Sequence, residues 1–183
     1  MAGDRAALIK LLTERSVRFG DFVLASGARS PFYIDCRLST MSAAGQVLIG
    51  PLGLAEIHDA GWNPDAIGGL TMGADPVSYA IAAASMRAGK PIDAFSVRKE
   101  AKKHGTGRRI EGNFAAGNRV IVIEDVITSG GSALTAIDAI REEGGEVLGL
   151  LALVDRQAGG REKIEATGVA VRALVNAGEL GID

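Results

Sequence analysis

One stretch limits the architecture of this chain more than any other: Val120-Ile121-Val122-Ile123-Glu124-Asp125-Val126-Ile127-Thr128-Ser129-Gly130-Gly131-Ser132. Apolar residues at successive positions, 120 to 123, read as a strand covered on both faces, which is how strands of a parallel sheet between helix layers look. Two carboxylates end the run, and small hydroxyl-bearing residues then lead into a helix that the pattern starts near Ser132. In an open parallel sheet, ligands sit beyond the carboxyl ends of the strands, so Glu124 and Asp125 are expected to emerge there, at a binding crevice. The Thr-Ser-Gly-Gly-Ser turn offers free backbone amides at the positive end of a helix dipole, a cradle for an anion. Carboxylates accept hydrogen bonds from sugar hydroxyls. Beside such a cradle they point to a sugar phosphate, the plain alternative being a strand followed by a capped helix. The segment is not a Walker loop, because the lysine that would complete that motif is missing.

The rest of the chain repeats the same rhythm. Strands are expected at 66–70, 94–97, 120–123, 147–154 and 170–175, with helices at 76–88 and 132–143 between them. The alternation predicts an α/β fold with a central, mostly parallel sheet flanked by helices. Ahead of it, Leu8, Ile9, Leu11 and Leu12 give a helical spacing over 6–17, with Asp4 as candidate N-cap. The runs Phe22-Val23-Leu24 and Phe32-Tyr33-Ile34 flank a turn-rich stretch and predict a hairpin or hood. A helical region from Ser42 to Ala60 contains Pro51, which is expected to kink or split it, with Gly50 easing the break. At 183 residues, without a linker or internal repeat, the chain is expected to form a single domain, hood at about 1–40 and core at about 41–175.

Composition narrows the partners. A formal net charge of −2 argues against a nucleic-acid binder, which needs a basic excess, so any basic site must be local. The single cysteine, Cys36, forms no intrachain disulfide, no apolar run is long enough to cross a membrane, and the first residues do not resemble a signal peptide. A cytoplasmic protein is expected. His58 and Cys36 lack partners at metal-ligand spacing and are read as structural.

Local basicity is concentrated in Arg98-Lys99-Glu100-Ala101-Lys102-Lys103-His104-Gly105-Thr106-Gly107-Arg108-Arg109, which holds six of the twenty Lys and Arg residues. A solvated surface loop is the ordinary reading of such a run. Its glycines suit a mobile flap, and preplaced cations stabilise a departing pyrophosphate more than the ground state. Gly68 to Pro76 reads as strand end, small-residue turn and helix start, with Asp75 as N-cap and Pro76 at the first helical position. Arg156 follows a strand on the crevice edge, where a guanidinium can grip a carboxylate with two parallel hydrogen bonds; a surface ion pair with Asp155 is the competing reading.

The 120–132 segment resembles the phosphoribosyl pyrophosphate (PRPP) motif of type I phosphoribosyltransferases, and Arg98-Lys99-Glu100-Ala101-Lys102-x-His104-Gly105 resembles the catalytic loop of the orotate-using family within them. Asp155-Arg156-Gln157 and the 26–35 stretch resemble further parts of that family, and the likeness runs from the first helix to Arg156. The resemblance implies the type I fold with a small N-terminal hood, and transfer of 5-phosphoribosyl from PRPP to orotate in pyrimidine (UMP) synthesis. It implies that Glu124 and Asp125 hold the ribose hydroxyls while Val126, Ile127, Thr128, Ser129, Gly130, Gly131 and Ser132 wrap the 5-phosphate. Thr71, Met72 and Gly73 would offer amides to pyrophosphate, and Arg98, Lys99, Lys102 and His104 would contact it. Lys102, His104, Lys99 and Asp125 would form the catalytic group, with Lys102 or His104 aiding departure. Orotate would meet Thr128, Arg156, Tyr33 and Ile34, though Tyr33 and Ile34 equally suit a hairpin core. Mg²⁺ would be held mainly through substrate, with Asp125 as the direct protein ligand considered, and the catalytic loop would be shared across a homodimer. Where relatives often carry lysines, this chain has Ala25 and Gly73, with Arg29 a substitute for the first. A nucleic-acid-binding regulator, a purine or uracil phosphoribosyltransferase, and a PRPP-binding scaffold without catalysis are the rival readings.

Overall fold

Leu8 and Leu12, one helical turn apart, are fully buried, and they seat the first helix, α1 (Ala2–Arg15), on the body of the protein. The computed structural model describes residues 2–23, 29–100 and 109–182. Asp4 lies inside the first turn of α1 and does not cap it; there its charge still faces the positive helix end. Strands β1 (Val17–Val23) and β2 (Arg29–Ile34) pair antiparallel as a separate two-stranded sheet. A short helix α2 (Arg37–Thr40) leads to α3 (Ala43–Asp59), capped by the Ser42 hydroxyl, which accepts from the Gly45 N–H.

The expected break at Pro51 does not occur: α3 runs through it. Gly50 is the reason the helix is held. A Cβ there would fall 2.5 Å from the Ala80 carbonyl, so α3 lies backbone to backbone on α4 (Ala74–Arg87). That packing holds the helix against the lost donor and the ring crowding of an interior proline, together about 3 kcal/mol.

The main sheet has six strands in the order β5-β4-β3-β6-β7-β8. They are β3 (Ala66–Leu70), β4 (Asp93–Val97), β5 (Ile110–Gly112), β6 (Arg119–Ile127), β7 (Glu146–Asp155) and β8 (Val171–Asn176). All pairings are parallel except that of β5, an antiparallel edge strand. Helices α5 (Gly131–Glu142) and α6 (Gly160–Glu165) complete the layers. Alternate residues of β6 serve opposite faces: Ile121 and Ile123 join the core with α3 and α4, while Val120 and Val122 join the core with α5. The successive apolar positions in the sequence reflect this double cover.

Two expected boundaries shift, with consequences for the site. Glu124 and Asp125 lie within β6, because pairing with β7 continues to Ile127 opposite Asp155. Helix α4 begins at Ala74 with Gly73 as its N-cap, so Asp75 is inside the first turn.

Candidate active site

The chain runs from β3 out to β4 on one side and then returns to β6 on the other, so strand order reverses between β3 and β6. Parallel sheets bind ligands at such a switch point, beyond the strand ends. A cleft of about 360 Å³ lies there, framed by the turn after β3, the end of β6, the end of β2 and Arg156 after β7.

After Ile127 the backbone turns through Thr128 and Ser129 to Gly130, which caps α5 with a φ of 80°, a left-handed conformation that favours glycine. A hollow of about 120 Å³, lined by Glu124 and by Val126 to Ser132, opens at the start of this helix. A water in the liquid takes about 30 Å³, so a tetrahedral oxyanion has room. The first-turn amides of α5 have no partners within the helix and are available to it.

The two acids differ in character. Glu124 is buried, and that burial pushes its carboxyl well above the ordinary carboxylate range, with the adjoining Asp125 adding to the effect. Asp125 is half-buried, lines the cleft, and accepts from the Val126 N–H at 2.9 Å. Gly73 approaches its carboxylate closely.

The turn formed by Thr71, Met72 and Gly73 is fixed from α4. The Thr71 hydroxyl donates to Asp75 at 2.6 Å, and Asp75 also accepts from the Ser96 hydroxyl at 2.7 Å. Asp75 therefore ties the turn to β4 instead of capping the helix. The Thr71–Met72 peptide is cis.

From the two-stranded sheet, Tyr33 and Ile34 reach the cleft, and Ile34 also packs on the core. Arg156 lies over the Phe32 ring, 4.6 Å from its centroid, and its Nε is buried without a hydrogen-bond partner. Burial lowers its pKa from the ordinary arginine value. The competing ion pair with Asp155 is not formed: Asp155 accepts from Arg161 at 2.7 Å.

The cleft thus brings together Tyr33, Ile34, Thr71, Met72, Gly73, Lys99, Glu124, Asp125, Val126, Thr128, Ser132 and Arg156, while Ile127, Ser129, Gly130 and Gly131 line the adjoining hollow. Arg98 is not among the lining residues; it pairs with Glu111 at 3.2 Å. Arg29 pairs with Asp21 and likewise lines no part of the cleft. Lys102, His104 and Ala25 lie outside the described residues. Sequence reasoning gave no site role to Asp35 and Arg37, paired at 2.8 Å on the cleft rim; Cys36, read as structural, is buried between them. The Arg37 guanidinium holds the Asp35 carboxyl below its ordinary value; Asp35 ends the 26–35 stretch, where the sequence reading gave it no role of its own, and no motif marks Arg37.

Residues 53–174 match the phosphoribosyl transferase domain family. Over its full length the chain is 47% identical to the full-length orotate phosphoribosyltransferase of Mycobacterium bovis. It is 46% identical to that of Aquifex aeolicus, covering 97% of each chain. The fold superposes with a TM-score of 0.83 on the crystal structure of the Mycobacterium tuberculosis orotate phosphoribosyltransferase in complex with PRPP, at 41% identity, covering 98% of this chain and 99% of that one. The chain therefore belongs to the phosphoribosyltransferase family, with the orotate phosphoribosyltransferases as its relatives.

Proposed function

We propose that this chain is a glycosyltransferase that moves the 5-phosphoribosyl group of PRPP onto orotate, yielding orotidine 5′-monophosphate and pyrophosphate for pyrimidine synthesis. The observation that carries the reading is one cleft with an anion hollow and acid pair at one end and, at the other, a half-buried guanidinium without an acidic partner among the described residues. The hollow suits the 5-phosphate, Glu124 and Asp125 the ribose hydroxyls, and the Thr71–Gly73 turn the pyrophosphate. Arg156 with Thr128, Tyr33 and Ile34 suits orotate. A buried guanidinium is costly until an anion meets it, and the orotate carboxylate supplies that partner.

In the reaction, the bond from the anomeric carbon to the pyrophosphate oxygen breaks and its electron pair leaves with pyrophosphate. The orotate ring nitrogen, giving up its proton, bonds to that carbon. Residues 124 and 125 hold the ribose as positive charge develops on it, and the Asp125 carboxylate favours that charge. Lys99, on the cleft rim, would meet the leaving group, together with Lys102 and His104 by family resemblance; Arg98 would join them only on leaving Glu111.

Asp125 fits Mg²⁺ by donor type, a cleft carboxylate for a hard cation. Among the described residues no group of three or more His, Cys, Asp or Glu could cage a metal, so substrate oxygens and waters would supply most of its ligands. When bound, Mg²⁺ neutralises pyrophosphate charge. We read the 183 residues as one domain acting in a homodimer that shares its catalytic loop. The α3–α4 layer leaves Val47, Tyr79 and Met86 exposed, a surface suited to a second copy.

The test is to mix protein with orotate, PRPP and Mg²⁺ and follow orotate ultraviolet absorbance. A loss that requires all components is expected, with uracil and adenine left unchanged. Persistence of the orotate signal would overturn the assignment.

A further inference from the structure

The segment that follows β7 does more than carry Arg156. Its first residue, Asp155, is 1% exposed, and both of its carboxylate oxygens are engaged. Oδ1 accepts from the Gln157 N–H at 2.8 Å and Oδ2 accepts from Arg161 Nε at 2.7 Å. Arg161 in turn donates to the Val171 carbonyl at 2.8 Å, which joins the start of α6 to β8. Arg156 N–H donates to the Ile127 carbonyl at 3.0 Å, the last residue of β6 before the anion loop.

Five residues after Asp155, Gly160 meets the underside of that loop. A Cβ on Gly160 would overlap the Thr128 carbonyl and fall 2.8 Å from Gly130 N. From the other side, a Cβ on Gly130 would fall 2.9 Å from the Gly160 carbonyl. The two backbones are in direct contact at the point where the anion hollow is shaped.

We propose that the Asp155–Arg161 pair is a positioning brace: it folds residues 155–161 into one unit that sets Arg156 at the base end of the cleft and wedges Gly160 beneath the Thr128–Gly130 loop at the phosphate end. Neither Asp155 nor Arg161 lines the cleft or the hollow, so their effect on substrate passes through Arg156 and the loop. The assignment of the two ends to orotate and 5-phosphate rests on the function proposed above. The brace itself stands on contacts within the protein.

Small displacements of a seat weaken catalysis out of proportion to their size. Arg161→Met removes the ion pair and keeps the length of the side chain. It should raise KM for both PRPP and orotate, each by about tenfold, because both seats lose the same support. Gly160→Ala leaves the ion pair in place and pushes only on the loop, so it should raise KM for PRPP while KM for orotate changes less than about twofold. Arg119→Met, which breaks the exposed Arg119–Asp65 pair at the far end of the sheet, should leave both constants at wild-type values. Arg161→Lys should recover part of the loss.

An unchanged KM for either substrate in folded Arg161→Met overturns the brace, as does a Gly160→Ala variant that weakens both substrates equally. A variant with less folded protein but wild-type KM values in the folded fraction shows a purely structural pair and also overturns it. If wild-type protein does not consume orotate, the substrate assignment fails separately. The brace is then judged by titration with inorganic phosphate, whose affinity Arg161→Met should lower by a similar factor; equal affinity rejects it.

Discussion

Gly73 lies against the carboxylate of Asp125: a Cβ on Gly73 would fall 2.6 Å from Oδ1 and 2.7 Å from the carboxyl carbon. A Cβ here would turn Asp125 away from its bond with the Val126 N–H. Gly73→Ala should therefore act on the site and not on the core. Its kcat/KM for PRPP should fall by about tenfold to a hundredfold. Thermal unfolding should shift by no more than a few degrees, the effect of about 1 kcal/mol. Steady-state kinetics beside a melting curve separate the two effects.

Among the described residues Arg156 has no carboxylate partner, Asp155 being held by Arg161. A hydrogen bond to a charged group contributes about 1.5–3 kcal/mol. Arg156→Ala should thus lower kcat/KM for orotate by roughly tenfold to a hundredfold and leave PRPP affinity near wild type. Arg156→Lys should recover only part, because an ammonium does not reproduce the planar fork. Calorimetric titration with each substrate in turn measures the split, and an equal loss for both would count against a base-end role.

Glu124 supplies a pH signature. Its burial pushes the carboxyl well above the ordinary 4.5 that it regains on unfolding. Because the folded value is the higher one, the folded protein holds the proton more tightly. The contribution of Glu124 to stability is complete below about pH 4.5 and is lost as pH rises towards the folded value. Glu124→Gln keeps a neutral group of the same shape. The melting temperature of wild type should therefore decline relative to this variant as pH rises above about 4.5. Parallel curves for the two proteins across that range would contradict the elevation.

Lys102, outside the described residues, is expected from the family resemblance to act on the leaving group. Lys102→Ala should lower kcat by about a hundredfold or more with little change in melting temperature. Mixing it with inactive Asp125→Asn should restore a fraction of wild-type activity if the catalytic loop is shared between subunits. No recovery after subunit exchange, verified by sizing of the mixture, would reject the shared site.

Gly50 tests the helix contact that carries α3 through Pro51. Alanine is favoured over glycine in helices by about 1 kcal/mol, yet here its Cβ would meet the Ala80 carbonyl at 2.5 Å and the Ala84 Cβ at 3.1 Å. Overpacking of this kind costs about 1–3 kcal/mol, so Gly50→Ala should be a net destabilisation that lowers the melting temperature by several degrees. Activity at room temperature should persist. A rise in melting temperature would mean that the two helices can separate freely.

Local pattern was enough for much of this protein. Successive apolar residues in β6 and β7 announce strands covered on both faces, and the small-residue turn after Ile127 announces an anion cradle, because both properties reside in consecutive residues. What depends on partners distant in the chain could not be read that way. Asp75 looks like a helix cap but spends its carboxylate on Thr71 and Ser96, the latter on another strand. Glu124 and Asp125 look like residues beyond a strand end, but β7 extends the pairing past them. Pro51 looks like a break, but α4 holds the helix together. Arg156 and Asp155 are neighbours in sequence but do not pair, because the partner of Asp155 arrives from α6. Sequence by itself determined the parallel strands and the helices between them, since hydrophobic period and turn chemistry are local, while the short edge strand β5 carries no such signal. Tertiary structure alone decided which charges remain unpaired in the cleft and which glycines bear the close contacts, since desolvation and steric overlap depend on what packs from elsewhere in the chain.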